Sequence, residues 1–104
     1  MPIDYVVYKL TFPNGKIYIG KDIGANGHSL RYFGSWDSEL VQRDFTESQL
    51  RDFTVRKEII FESKDKDEVS RKEGELILFL RSNDPSIGYN KTHRPRISNN
   101  PLLG

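Results

Sequence analysis

Residues 5–20 read YVVYKLTFPNGKIYIG. Two runs rich in aromatic and β-branched residues, 5–12 and 16–20, flank Pro13-Asn14-Gly15, and Asn and Gly are the residues that most readily accept the positive φ of a tight turn. The stretch therefore encodes a β-hairpin, and it decides the fold because the remaining elements must pack on the sheet that begins here. It also presents two phenols, Tyr8 in the first strand and Tyr18 in the second.

Outward from the hairpin, glycines at 24, 27 and 34 and the scattered Asn, His and Ser of residues 22–35 break any period, which reads as a loop. Ser35 is placed to cap a helix in which Trp36, Leu40 and Val41 recur at helical spacing to about residue 45, with Asp37 and Glu39 in the dipole-favoured first turn. Residues 53–61 alternate as Phe53, Val55, Lys57, Ile59 and Phe61, a third strand with one side mostly apolar. Residues 66–82 carry the longest helical pattern, with Asp65 or Asp67 as cap and Val69, Leu76, Ile77 and Leu80 as the stripe that covers one face of the sheet. Asn83-Asp84-Pro85 ends that helix, and Gly88-Tyr89-Asn90 follows as a short extended or turn segment. The expected fold is α/β in the loose sense, an α+β sandwich: a small, mainly antiparallel three-stranded sheet flanked by helices. One domain spans residues 1–92, and residues 93–104, with their prolines and paired asparagines, read as a flexible tail or linker stub.

Composition narrows the chemistry. A chain of 104 residues suits one domain with one modest core. Its 16 Lys and Arg against 15 Asp and Glu leave a net charge of +1, so any basic patch for a polyanion must be local. The absence of cysteine removes disulfides, thiolate metal sites and thiol nucleophiles, and leaves oxygen or imidazole as metal ligands. No apolar run approaches the ~18 residues of a membrane span and no signal-peptide pattern opens the chain, so the expectation is a soluble cytoplasmic protein with no membrane partner.

Taken singly, the candidate residues have ordinary explanations. Tyr8 and Tyr18 lie in strands, where tyrosine is favoured for packing. Arg31 in a glycine-punctuated loop is commonly a solvated cation. Glu75 is placed at the edge of the apolar stripe, where a carboxylate is solvated, paired or metal-bound. Asn90 after Gly88-Tyr89 is also common turn chemistry.

Together they form a pattern. "VVY" at 6–8, "YIG" at 18–20, Arg31, Glu75 and "GYN" at 88–90 resemble the GIY-YIG nuclease family over nearly the whole chain, from about Tyr5 to Asn90. "RYFGS" at 31–35 is similar to the phage-type homing and seg-like branch. Val6 stands where the family has the glycine of its first half-motif, which changes the backbone requirement and not the chemistry. Many members carry a histidine one turn after the arginine; that place is Ser35, and His28 lies three residues before Arg31 instead. Arg43 and Lys21 are alternatives for the arginine's part.

The resemblance implies a DNA endonuclease that hydrolyses a phosphodiester with a tyrosine-activated water and a divalent metal, Mg²⁺ with Mn²⁺ as substitute, in a bacterial or phage-infected cell. Tyr18 and Tyr8 then serve the water, Arg31 grips the scissile phosphate, and Glu75 holds the metal. Lys21, His28 and Asn90 contact substrate. Mg²⁺ keeps most of its waters, so one carboxylate plus the substrate phosphate suffices. An ordinary tyrosine, with a pKa of about 10, is a poor base at neutral pH, so Tyr18 needs nearby cations or a hydrogen-bond chain through Tyr8. Specificity calls for an additional DNA-binding domain or partner. Two other classes fit the same residues: a catalytically silent nucleic-acid-binding module, and a structural interaction domain whose aromatics only fill a core.

Overall fold

The computed structural model describes residues 5–23 and 36–92. Its order is β1 (Tyr5–Thr11), β2 (Ile17–Asp22), α1 (Ser38–Asp44), α2 (Glu47–Arg51), β3 (Arg56–Ser63) and α3 (Lys66–Leu80). The strands form one antiparallel sheet in the order β2-β1-β3, so the α+β architecture expected from the sequence is present.

The hairpin closes as its residues dictate. Phe12 N–H donates to the Lys16 carbonyl at 2.9 Å, Gly15 N–H donates to the Phe12 carbonyl at 2.8 Å, and Gly15 takes φ 87°, which a residue with a side chain resists. The Asn14 side-chain oxygen accepts from Lys16 N–H at 3.1 Å and completes the turn.

Strand alternation then divides the core between the two faces. Tyr8, Leu10, Phe12 and Tyr18 point to one face, where they pack with Leu40, Val41, Phe45 and Tyr89. Phe12 is the hub of this aromatic face, with its ring centroid 4.7 Å from Tyr89 and 5.3 Å from Trp36, both edge-on as ring quadrupoles prefer. Val7 and Ile19 point to the other face and meet Val69 and Ile77 of α3. The long helix therefore covers the side of the sheet that the phenols do not occupy.

Each helix begins on a cap. Leu40 N–H donates to Asp37 Oδ1 at 3.2 Å to start α1, so the cap is Asp37; Ser35 lies outside the described residues. A reciprocal Thr46–Gln49 capping box starts α2, a short helix absent from the expectation because it buries no residue and shows no apolar period. Asp65 caps α3 through Asp67 N–H at 2.9 Å. That helix ends at Leu80, two residues before the expected place, because Arg81 turns left-handed at φ 59° and closes the last turn.

The third strand also differs. Phe53 and Val55 lie in the lead-in, packed on the aromatic cluster, and pairing begins at Arg56. An irregularity in the β1–β3 register then leaves Tyr8 opposite Ile59 but Val7 opposite Phe61. The extra residue, Ile60, exchanges the faces of the odd-numbered series: Lys57 stands opposite Leu10 on the aromatic side, whereas Phe61 packs under α3. Simple alternation placed all five residues on one side, and the bulge is why they are not.

Candidate active site

The two half-motifs meet through strand register. Tyr8 pairs with Gly20 and Leu10 with Tyr18, so the two phenols are diagonal neighbours on the aromatic face with ring centroids 6.4 Å apart. Gly20 has a steric duty here. A Cβ built on it would stand 2.5 Å from both Cζ and Oη of Tyr8 and 2.9 Å from Cε2 of Tyr18, so the absent side chain is the space in which the Tyr8 phenol lies. Tyr8 is fully buried and Tyr18 nearly so, with the Tyr18 ring edge-on to Trp36 at 6.3 Å.

The "GYN" segment holds β2 from outside. Ile17 N–H donates to the Ile87 carbonyl at 3.1 Å and Tyr89 N–H to the Ile17 carbonyl at 2.9 Å. Asn90 continues the pairing with its side chain: Ile19 N–H donates to Asn90 Oδ1 and Asn90 Nδ2 donates to the Ile19 carbonyl, each at 2.8 Å. Both ends of this buried amide are engaged with backbone, a structural duty that the sequence reading of Asn90 as a substrate contact did not include. A Cβ on Gly88 would lie 2.5 Å from the carbonyl oxygens of Ile17 and Ser82, which is why glycine precedes Tyr89. The Tyr89 hydroxyl donates to Asp44 Oδ2 at 2.7 Å and accepts from Asn14 Nδ2 at 2.9 Å, while Lys16 Nζ reaches the same Asp44 oxygen at 2.6 Å. The Lys16 hydrogen bond holds the Asp44 carboxyl below its ordinary range. Burial pushes the Tyr89 phenol up to about 12. This cluster ties the turn, α1 and the "GYN" segment together behind the phenols.

Glu75 is placed differently from its expected position at the edge of the stripe. It is exposed, and its carboxylate lies 3.5 Å from Lys72 Nζ on the helix surface. With about 100° per residue, Glu75 stands roughly 200° beyond Glu73, on the outward side of α3. Glu73 is the acid on the inward side. It lies four residues from both Val69 and Ile77, the two fully buried residues of the stripe, and is half-buried between them. The signal for it was in the sequence: on a helical wheel Glu73 falls within the stripe of Val69 and Ile77, and Glu75 falls opposite it. Nearby, Lys21 Nζ donates to Ser70 Oγ at 2.9 Å, joining the end of β2 to the inward side of α3.

The remaining cations separate. Arg31 and His28 belong to residues 24–35, outside the described residues. Arg43 is exposed in the last turn of α1. Lys57, not among the expected site residues, stands on the phenol face with Nζ 4.5 Å from the Tyr8 ring centroid. Burial lowers its pKa from the ordinary lysine value, and the nearby Asp22 carboxylate opposes that shift.

Among the described residues no group of three or more His, Cys, Asp or Glu could enclose a metal. A hard ion bound through one carboxylate and a substrate phosphate needs no such cage. Glu75 is ion-paired with Lys72 and turned outward from the sheet, whereas Glu73, on the inward side of α3 beside the Lys21–Ser70 contact, is the better placed of the two acids to hold such an ion. The described cover over β2 ends at Ile19, and Gly20, Lys21 and Asp22 lead on into residues 24–35. The phenols lie on one face of the sheet and the Glu73 side of α3 on the other. No helix of the described residues is long and apolar enough to cross a membrane. Comparison with family models, curated proteins and solved structures finds no match for this chain.

Proposed function

We propose that the chain is a divalent-metal-dependent DNA endonuclease of the GIY-YIG type, acting in a bacterial or phage-infected cell. The observation that supports it most is the Tyr8–Gly20 pairing, in which the glycine of "YIG" makes room for the phenol of "VVY" beside Tyr18. The two half-motifs, ten residues apart in sequence, then serve one feature: two neighbouring phenol rings on a rigid sheet.

In hydrolysis a water oxygen attacks phosphorus and the P–O3′ bond breaks; Tyr18, acting as the phenolate with Tyr8 as its neighbour, takes up the proton lost by the water, and the departing O3′ takes a proton from solvent. The strands fix both phenols without a loop, and Asn90 stiffens β2 one residue from Tyr18. Lys21 adds positive charge at the end of the same strand. Mg²⁺ held by Glu73 would supply charge neutralisation at the phosphoryl oxygens. Glu73 thus takes the part that the sequence pattern assigned to Glu75.

The burial of Tyr8 and Tyr18 favours one competing view, in which the phenols only pack and the domain is a silent nucleic-acid-binding module. Nicking of supercoiled plasmid with Mg²⁺, with EDTA, and with Tyr18→Phe separates the two. Mg²⁺-dependent nicking lost in Tyr18→Phe is expected; its absence in the parent chain, with DNA binding intact, would leave the binding module.

A further inference from the structure

Most described lysines that make specific contacts are explained by a polar partner on the surface or between elements. Lys16 serves Asp44, Lys9 lies 3.7 Å from Glu58, and Lys21 serves Ser70. Lys57 differs in its place in the fold. It occupies a sheet position opposite Leu10, on the face built from Tyr8, Phe12 and Tyr18, where an apolar side chain would add to the core. Its ammonium lies over the Tyr8 ring at 4.5 Å, close enough for cation–π attraction, and Asp22, buried two residues beyond Gly20, is the carboxylate acting on it. Partial burial disfavours its charge, so a cation persists where packing alone selects against one. Ring and carboxylate together hold a positive charge beside the phenol pair.

We propose that Lys57 is a DNA-phosphate contact of the phenol face, the cation that draws a backbone phosphodiester toward the Tyr8 and Tyr18 hydroxyls; this rests on the nuclease proposal above. The ligand class is the phosphodiester backbone, read by charge and without base specificity. The Tyr8 ring holds the ammonium in place and the Asp22 carboxylate favours its charge, so the charge is preorganised and its loss is not made good by mobile surface lysines.

Lys57→Met keeps the stem over Tyr8 and removes the charge, whereas Lys57→Arg keeps a charge. Binding of a fluorescein-labelled DNA duplex is followed by anisotropy across a salt series for the parent and both variants, beside single-turnover plasmid nicking. A phosphate contact lowers the salt slope of log Kobs by about 1 in Lys57→Met and not in Lys57→Arg. Nicking by Lys57→Met should fall ~30-fold or more, with Lys57→Arg recovering most of it; the range for one electrostatic donor is about 10²–10³ at most. An unchanged slope in Lys57→Met overturns the contact, whatever happens to the rate. A parent chain that binds the duplex without nicking overturns the nuclease proposal, while the slope still decides Lys57. A parent chain that binds no duplex overturns both. Thermal unfolding of both variants separates these results from misfolding, since a cooperative transition in Lys57→Met shows the fold intact and Lys57→Arg keeps the charge beside Asp22.

Discussion

Tyr8 lies across Gly20: the phenol fills the volume that any side chain at residue 20 would claim, with Cζ and Oη both 2.5 Å from the site of the missing Cβ. The partner cannot yield, because Tyr8 is fully buried between the strand and the aromatic cluster. A glycine in the interior of a strand ordinarily weakens it, and here it is the condition for a buried aromatic ring on the neighbouring strand.

Gly20→Ala should therefore destabilise the fold by about 1–3 kcal/mol, the usual cost of overpacking a well-filled core. Urea unfolding of the purified variant measures this. A loss of only a few tenths would mean that the phenol can move aside.

Asn90→Ala should also destabilise, by about 1–3 kcal/mol for each backbone group of Ile19 left buried without its partner. The neighbouring Lys91→Ala, at an exposed position, serves as control and should change stability little. Hydrogen exchange at the Ile19 amide reports the same contact directly, and slow exchange persisting in Asn90→Ala would contradict the assignment.

The acids at 73 and 75 should behave oppositely. Glu73→Gln should cut Mg²⁺-dependent nicking by about 10²–10³, as removal of one site charge does, whereas Glu75→Gln, which loses only a solvent-exposed pair with Lys72, should stay within a few-fold of the parent. The reverse order would return the metal to Glu75 and require α3 to present another face.

Tyr18→Phe should separate stability from rate. The ring and its contact with Trp36 remain, so unfolding changes little, while loss of the general base lowers single-turnover nicking by about 10²–10⁴. A fully active variant would reduce Tyr18 to a packing group.

The Lys16–Asp44–Tyr89 cluster contributes to the pH dependence of stability at both the acid and the alkaline end. The Asp44 carboxyl ionises below its ordinary 3.8 in the folded chain, so its contribution is complete above that value and is lost as pH falls through the folded one. Lys16→Met should make the acid limb of the stability curve shallower. Tyr89 moves from 10.0 to about 12, so the folded state holds the proton longer and stability falls with rising pH between those values. Lys57 acts in the other direction, since its folded value lies below the ordinary 10.5 and stability rises as pH approaches that figure. Denaturant midpoints across pH for the parent, Tyr89→Phe and Lys57→Met would resolve the two slopes; a Tyr89→Phe curve parallel to the parent above pH 10 would contradict the first.

The sequence by itself determined the parts whose signals are local. The Asn14-Gly15 turn, the alternation of residues 5–11, the α3 cap at Asp65, one of two candidates, and the Val69–Ile77 spacing each depend on neighbours within a few positions, and each appears within the stretch that its residues marked. Tertiary structure decided what depends on register and helix phase. Only the pairing of Tyr8 with Gly20 shows why "YIG" ends in glycine, and only the packing of Val69 and Ile77 on Val7 and Ile19 turns Glu73 inward and Glu75 out. The Ile60 irregularity, invisible to a period-two pattern, sends Lys57 to the phenols and Phe61 to the opposite face. Asn90 acquires its role from the outer hydrogen-bonding edge of a strand 71 residues away in sequence, a partner that no local propensity encodes.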